Sequence, residues 1–193
     1  MEHEIMLTGV GGQGIQLASQ VLARAAVLEG RQVMSLGVYG GTMRGGNTDS
    51  TLVIADATIH SPPIVAKVGT VLAMHHAFFE PIQAKLRAGA LAITNSTVFE
   101  AEIDAPDIQL FEVPASRIAA DLGNGMAASL VLIAAYAKLT GLVSLESLVK
   151  AMEQSVPSYR RQHIDGNATA IRAGYEAVRA NVVPAWPAAR EGE

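Results

Sequence analysis

The sequence predicts an α/β fold with strands and helices alternating through its first two thirds, and three observations carry this. A short apolar run, Ile5-Met6-Leu7, leads into Gly9-Val10-Gly11-Gly12-Gln13-Gly14, and an amphipathic segment follows at once. Short apolar runs then recur between turn residues as far as Val113. The last third changes character and reads as helices punctuated by Gly123, Gly141 and Pro157. Strand, glycine-rich turn and helix in that order open a dinucleotide-type βαβ unit, so the expected fold is a Rossmann-like, mainly parallel sheet with a helical C-terminal third.

The elements follow in order. Glu4–Thr8 is the first strand. Gly14–Glu29 is a helix with Ile15, Ala18, Leu22 and Ala25 on one face, and Gly30 stands where a helix C-terminus favours glycine. Gln32–Leu36 is a second strand, and a glycine-rich loop from Gly37 to Gly46 follows. Ser50–Ala55 is a strand, Asp56-Ala57 a turn, and Ile59 an extended piece stopped by Pro62-Pro63. Val71–Met74, Leu91–Thr94 and Gln109–Val113 are further strands, with a helix over Phe78–Arg87 between the first two. Ser116–Leu122, Met126–Leu139, Leu145–Ser155 and Asn167–Asn181 are helices. Leu122-Gly123-Asn124-Gly125 ends one helix and starts the next. One domain is expected over 1–181, with an extended tail from Val182 that carries Pro184, Trp186 and Pro187.

Composition excludes several classes. Half of the 193 residues are hydrophobic, 17% are charged, and the net charge is −4. A general nucleic-acid binder needs a basic stripe, which this balance does not supply. A chain so poor in charge is expected to cover part of its surface with partners. There are no cysteines, which rules out disulfides, cysteine-ligated iron–sulfur clusters, thiolate zinc and thiol catalysis. The acidic start Met1-Glu2-His3-Glu4 is no signal peptide, and Met126–Leu139 falls short of the ~20 residues a bilayer span needs. A cytoplasmic protein with no membrane contact is expected.

The glycine turn sets backbone N–H groups at a helix N-terminus, an anion site or a surface for close packing against another subunit. Nicotinamide cofactors need an acid about 20 residues after the glycines. That region reads Met34-Ser35-Leu36-Gly37, and Arg31 precedes the strand, so tight NAD(H) or NADP(H) binding by the isolated chain is not expected. In the second loop, glycines surround Arg44, whose guanidinium suits a carboxylate, phosphate or partner. His75-His76 follow a strand, and adjacent side chains of extended chain point apart, so no metal site is expected there. With no Ser/His/Asp arrangement, P-loop lysine or paired carboxylates, no catalytic residue is assigned. Trp186 is the only tryptophan and, in a proline-bounded tail, is expected to anchor on a partner or to fold back on the chain's own last helix.

These motifs together resemble the gamma subunit of 2-oxoacid:ferredoxin oxidoreductases, the pyruvate/ketoisovalerate type. The resemblance rests on Gly9, Gly11, Gly12, Gln13 and Gly14; on the loop Tyr39, Gly40, Arg44, Gly45 and Gly46; on Ile59, Ser61 and Pro62; and on Leu122, Gly123 and Asn124. It extends to about Val178. One departure stands out: the family's loop often reads Y-G-P-E-A-R-G-G, and here Gly41 and Thr42 replace the proline and the acid. The resemblance implies a scaffold subunit with no cofactor of its own. It belongs to a complex with alpha, beta and delta-type subunits, thiamine diphosphate, magnesium, iron–sulfur clusters and coenzyme A. That complex oxidatively decarboxylates a 2-oxoacid to an acyl-CoA and passes electrons to ferredoxin or an equivalent. A share in the coenzyme A site is implied for this chain. The alternative is a free-standing Rossmann-type nucleotide-binding oxidoreductase.

Overall fold

The computed structural model describes residues 1–39, 45–60, 62–64 and 66–186. The strands are β1 (Glu2–Val10), β2 (Gln32–Tyr39), β3 (Asn47–Ala55), β4 (Val68–Ala73), β5 (Leu86–Asn95) and β6 (Gln109–Val113). The helices are α1 (Ile15–Leu28), α2 (Glu80–Gln83), α3 (Ala115–Asp121), α4 (Ala128–Thr140), α5 (Leu145–Ser155) and α6 (Ile164–Glu176). Short 3-10 segments cover Gly125–Ala127 and Ser158–His163.

One sheet runs in the order β2-β3-β1-β4-β5-β6. From β1 to β6 every pairing is parallel, but β3 is antiparallel to both β1 and β2. The strand after α1 is therefore one place further from β1 than in a simple βαβ unit, because β3 fills the gap.

Strand alternation sends side chains to two faces. Ile5, Leu7, Leu52, Ile54, Leu72 and Ile93 share the larger core with α1, α4 and α5. On the other face Met6, Val71 and Ala92 pack with Phe79, Ile82 and Leu86. Helix α4 is apolar on all sides, and only Lys138 is less than fully buried. A helix of that kind belongs in the centre of a helical layer, and α3 and α6 flank it.

The helix expected over Phe78–Arg87 is a single turn, Glu80–Gln83. Phe78, Ile82 and Leu86 have helical spacing, but Leu86 already pairs with Val68 in the sheet. The period of that apolar run therefore spans two elements. Strands β1, β2 and β3 are longer than expected because Val10, Tyr39 and Asn47 still lie in ladder register. Helix α6 starts before Asn167 and ends at Glu176.

From Val182 to Trp186 the chain lies on its own body. The last carbonyls of a helix lack partners within it, and at α4 the tail supplies them. Asn181, Val183 and Ala185 donate their N–H groups to the carbonyls of Lys138, Leu139 and Thr140, at 2.9, 3.1 and 2.7 Å. The Trp186 indole N–H donates to the Leu142 carbonyl (2.9 Å), Arg31 stacks 3.9 Å above the ring, and His3 meets its edge. Half-buried Trp186 is thus held on its own chain by Leu142, Arg31 and His3.

Burial, helped by the nearby N-terminal amine and Arg31, pulls the His3 pKa below its ordinary 6.5, against the opposing effects of Ala185 and Asp56. A lowered histidine value means that the unfolded chain binds a proton the folded chain refuses. Its contribution is intact above pH 6.5 and is lost as pH falls through and below that value. Thermal melts between pH 8 and 5 are expected to show this loss, and His3→Gln is expected to flatten the slope.

Candidate functional site

Strand β1 delivers the chain into the glycine turn. Gln13 closes the turn from both sides: its N–H donates to the Val10 carbonyl (3.0 Å) and its side-chain oxygen accepts from the Val10 N–H (2.8 Å). A Cβ on Gly9 would lie 2.6 Å from that same side-chain oxygen. The two glycine motifs meet, because the Gly11 N–H donates to the Gly46 carbonyl (2.8 Å) and the Gly45 N–H to the Gly11 carbonyl (3.3 Å). Gly14 caps α1 in the left-handed region, φ 78°, which favours glycine. No side chain caps the first turn of α1 and no acid lies in it. The positive end of the helix dipole is therefore not offset locally.

That turn forms one wall of a cleft of about 890 Å³. Gln16, Gln20 and Thr48 extend the wall along α1 and β3. The opposite wall is Ser155–Pro157 with Arg160, His163 and Asn167, and Met126 and Leu130 supply apolar surface. Asn124 donates to the Asn167 side-chain oxygen (3.2 Å), tying the start of the α4 segment to α6. Among the described residues the lining includes Arg160 and His163 but no Asp or Glu, so the formal charge of the lining is positive.

The place where a nucleotide-binding fold keeps its ribose acid lies beside β1, and β3 occupies it. Asp49 stands there, but its carboxylate accepts from the Thr8 hydroxyl and the Asn47 amide, both at 2.7 Å. It works as a brace under the turn.

His75 and His76 do not diverge as expected. The chain bends after β4, and the rings lie 4.5 Å apart. Burial and the neighbouring His76 lower the His75 pKa. Its Nδ1 accepts from the Ala77 N–H (3.1 Å), while the His76 ring is held at the Val98 carbonyl (3.0 Å). Among the described residues no three His, Cys, Asp or Glu side chains gather as a metal site would require, and no helix is long and apolar enough to cross a membrane.

Of the residues singled out in the sequence, Gly9, Gly11, Gly12, Gln13, Gly14, Gly45 and Gly46 form or brace one edge of the cleft. Tyr39 ends β2, and Gly40, Arg44 and Ser61 lie outside the described residues. The sequence reading missed Gln16, Arg160, His163 and Asn167. The run Tyr159-Arg160-Arg161-Gln162-His163 after Pro157 was a readable signal of positive charge, but nothing in it placed that charge opposite the glycine turn.

Comparison with known proteins identifies the architecture. Residues 4–177 match the family described as pyruvate ferredoxin/flavodoxin oxidoreductase. The chain is 34% identical over 184 residues to the 2-oxoglutarate synthase subunit KorC of Methanothermobacter thermautotrophicus, covering 92% of this chain and 96% of that one. It is 28% identical to the ketoisovalerate oxidoreductase subunit VorA of the same organism, where the match takes 94% of this chain but 37% of the relative. The crystal structure of the keto/oxoacid ferredoxin oxidoreductase gamma subunit from Geobacter sulfurreducens superposes with a TM-score of 0.78 at 27% identity, covering 92% of this chain and 96% of that one. The chain therefore belongs to the pyruvate ferredoxin/flavodoxin oxidoreductase family, as a gamma-type subunit of a 2-oxoacid oxidoreductase.

Proposed function

We propose that the chain acts with alpha, beta and delta-type subunits in the oxidative decarboxylation of a 2-oxoacid, and that its cleft holds the phosphate end of coenzyme A. The observation that carries the reading is the uncapped start of α1 facing Arg160 across a cleft without acidic lining residues. A diphosphate suits both elements: backbone N–H groups and the helix dipole on one side, a planar guanidinium on the other. Thiamine diphosphate and iron–sulfur clusters on the other subunits supply the decarboxylation and electron transfer. This chain's residues bind, orient and shield the carrier of the acyl group. A nicotinamide cofactor is the poorer reading, because β3 and the braced Asp49 stand where the ribose acid is needed.

Removing one charge-assisted contact costs about 1.5–3 kcal/mol. Arg160→Ala in the reconstituted complex is therefore expected to raise the KM for coenzyme A about tenfold or more, with kcat and the KM for the 2-oxoacid little changed. An unchanged KM for coenzyme A would remove the carrier from this cleft.

A further inference from the structure

Among the described residues, strand β2 is the sheet's edge and pairs only with β3. Its odd-numbered residues face α1: Val33 and Ser35 sit opposite Ile54 and Leu52 of the larger core, and Gly37 leaves room for the Gln16 amide. Its even-numbered residues, Met34, Leu36 and Val38, point to the other face and are 43%, 37% and 51% exposed. Edge strands are normally guarded by charge or proline, yet from Gln32 to Tyr39 this one carries neither.

The two ends of the strip distinguish it from a scattered set of exposed residues. At one end Gln32 pairs with Ala55, beside the contact of the N-terminal amine with Asp56 and beside Arg31, which stacks on Trp186. The N-terminus and the end of the described tail thus share one corner of the molecule. At the other end Tyr39 pairs with Thr48, a lining residue of the cleft. In the relative where this module is 37% of a longer chain, the remainder must leave from one of the module's termini. Here the N-terminus and Trp186, the last described residue of the tail, lie beside the start of β2. A body attached at that corner reaches the cleft by the shortest route along the strip.

We propose that Met34, Leu36 and Val38 seat the larger neighbouring subunit of the oxidoreductase, which lays an uncharged apolar surface along β2 from the terminal corner to the cleft. This rests on the gamma-subunit reading above. It accounts for the unguarded edge and brings the partner's chemistry to the mouth of the cleft.

The test uses the co-expressed complex, purified through a tag on the partner. Leu36→Lys/Val38→Lys is expected to cut recovery of this chain at least tenfold, while its own melting temperature stays unchanged, since both side chains are exposed. Hydrogen exchange on the wild-type complex needs no variant and is expected to show protection of the β2 amides relative to the free chain. Full recovery of the variant, or no protection along β2, overturns the proposal. A wild-type homodimer broken by the same substitutions also overturns it, because a second copy is then the occupant. Arg160→Ala is the control that separates the two readings: it is expected to leave recovery intact and change only the coenzyme A dependence. A wild-type chain recovered with no oxidoreductase partner would defeat the gamma-subunit reading itself.

Discussion

Gly174→Ala is expected to destabilise the protein by about 2–3 kcal/mol, although alanine is the better helix former by about 1 kcal/mol. Gly174 lies in α6 where it crosses α4. A Cβ there would stand 2.3 Å from the Val131 carbonyl oxygen, 2.7 Å from its Cα and 2.8 Å from its carbonyl carbon. These are backbone atoms of a fully buried helix, so no rotamer change relieves the clash, and the two helices must part. Overpacking of this kind outweighs the gain in helix propensity. Gly166 in the same helix supplies the contrast, because a Cβ there approaches the Asn124 side-chain amide at 3.1 Å and no backbone. Gly166→Ala is expected to be close to neutral. Urea unfolding of both variants checks the pair, and equal midpoints would show that α4 and α6 do not cross as described.

Gly9→Ala is expected to damage stability and ligand binding together. The added Cβ would meet the Gln13 side-chain oxygen at 2.6 Å, the Ile15 Cδ1 at 2.9 Å and the Met74 Cβ at 3.1 Å. The Gln13 side chain must swing clear of the shortest of these contacts, and in doing so it abandons the Val10 N–H. The turn then loses its clip and the start of α1 shifts. The expected cost is about 2 kcal/mol from the lost bond and residual crowding, with a rise of about tenfold in the KM for coenzyme A. A double-mutant cycle with Gln13→Ala isolates the cause. If the clip is the mediator, Gln13→Ala adds little to Gly9→Ala. If the two costs add in full, the turn is not held by Gln13.

Much of this architecture was legible because local chemistry and tertiary structure agree. The glycine turn, α1 and the buried strands β4 and β5 each carry a pattern that only one element satisfies. Helix α4 was readable from its unbroken apolar run. The helix expected at 78–87, which shrinks to the single turn Glu80–Gln83, shows how this fails, since Phe78 and Leu86 share a helical period but Leu86 belongs to β5. The insertion of β3 between β1 and β2 was not legible, because strand order depends on long-range pairing that no local pattern records. The cleft was half legible. Its glycine wall is a motif, whereas Arg160 and His163 reach it only through the packing of α5 against α1 and of α6 against α4 and α5, some 150 residues away in sequence. For Trp186, the sequence showed an apolar ring in an extended segment but not that α4's last carbonyls offered that segment its pairing.

The central place of β1 bears on how the protein is made. Strand β1 is synthesised before both of its neighbours, β3 on one side and β4 on the other, so its ladders close only once residues 55 and 73 have emerged. Until then Ile5, Met6 and Leu7 form a sticky nascent segment with no sheet to enter. The β2–β3 hairpin is the nearest local pairing and is the natural template for it. A message truncated after β3 would yield a three-stranded ribbon with β1 bare along one side, the kind of unfinished edge that recruits chaperones or aggregates.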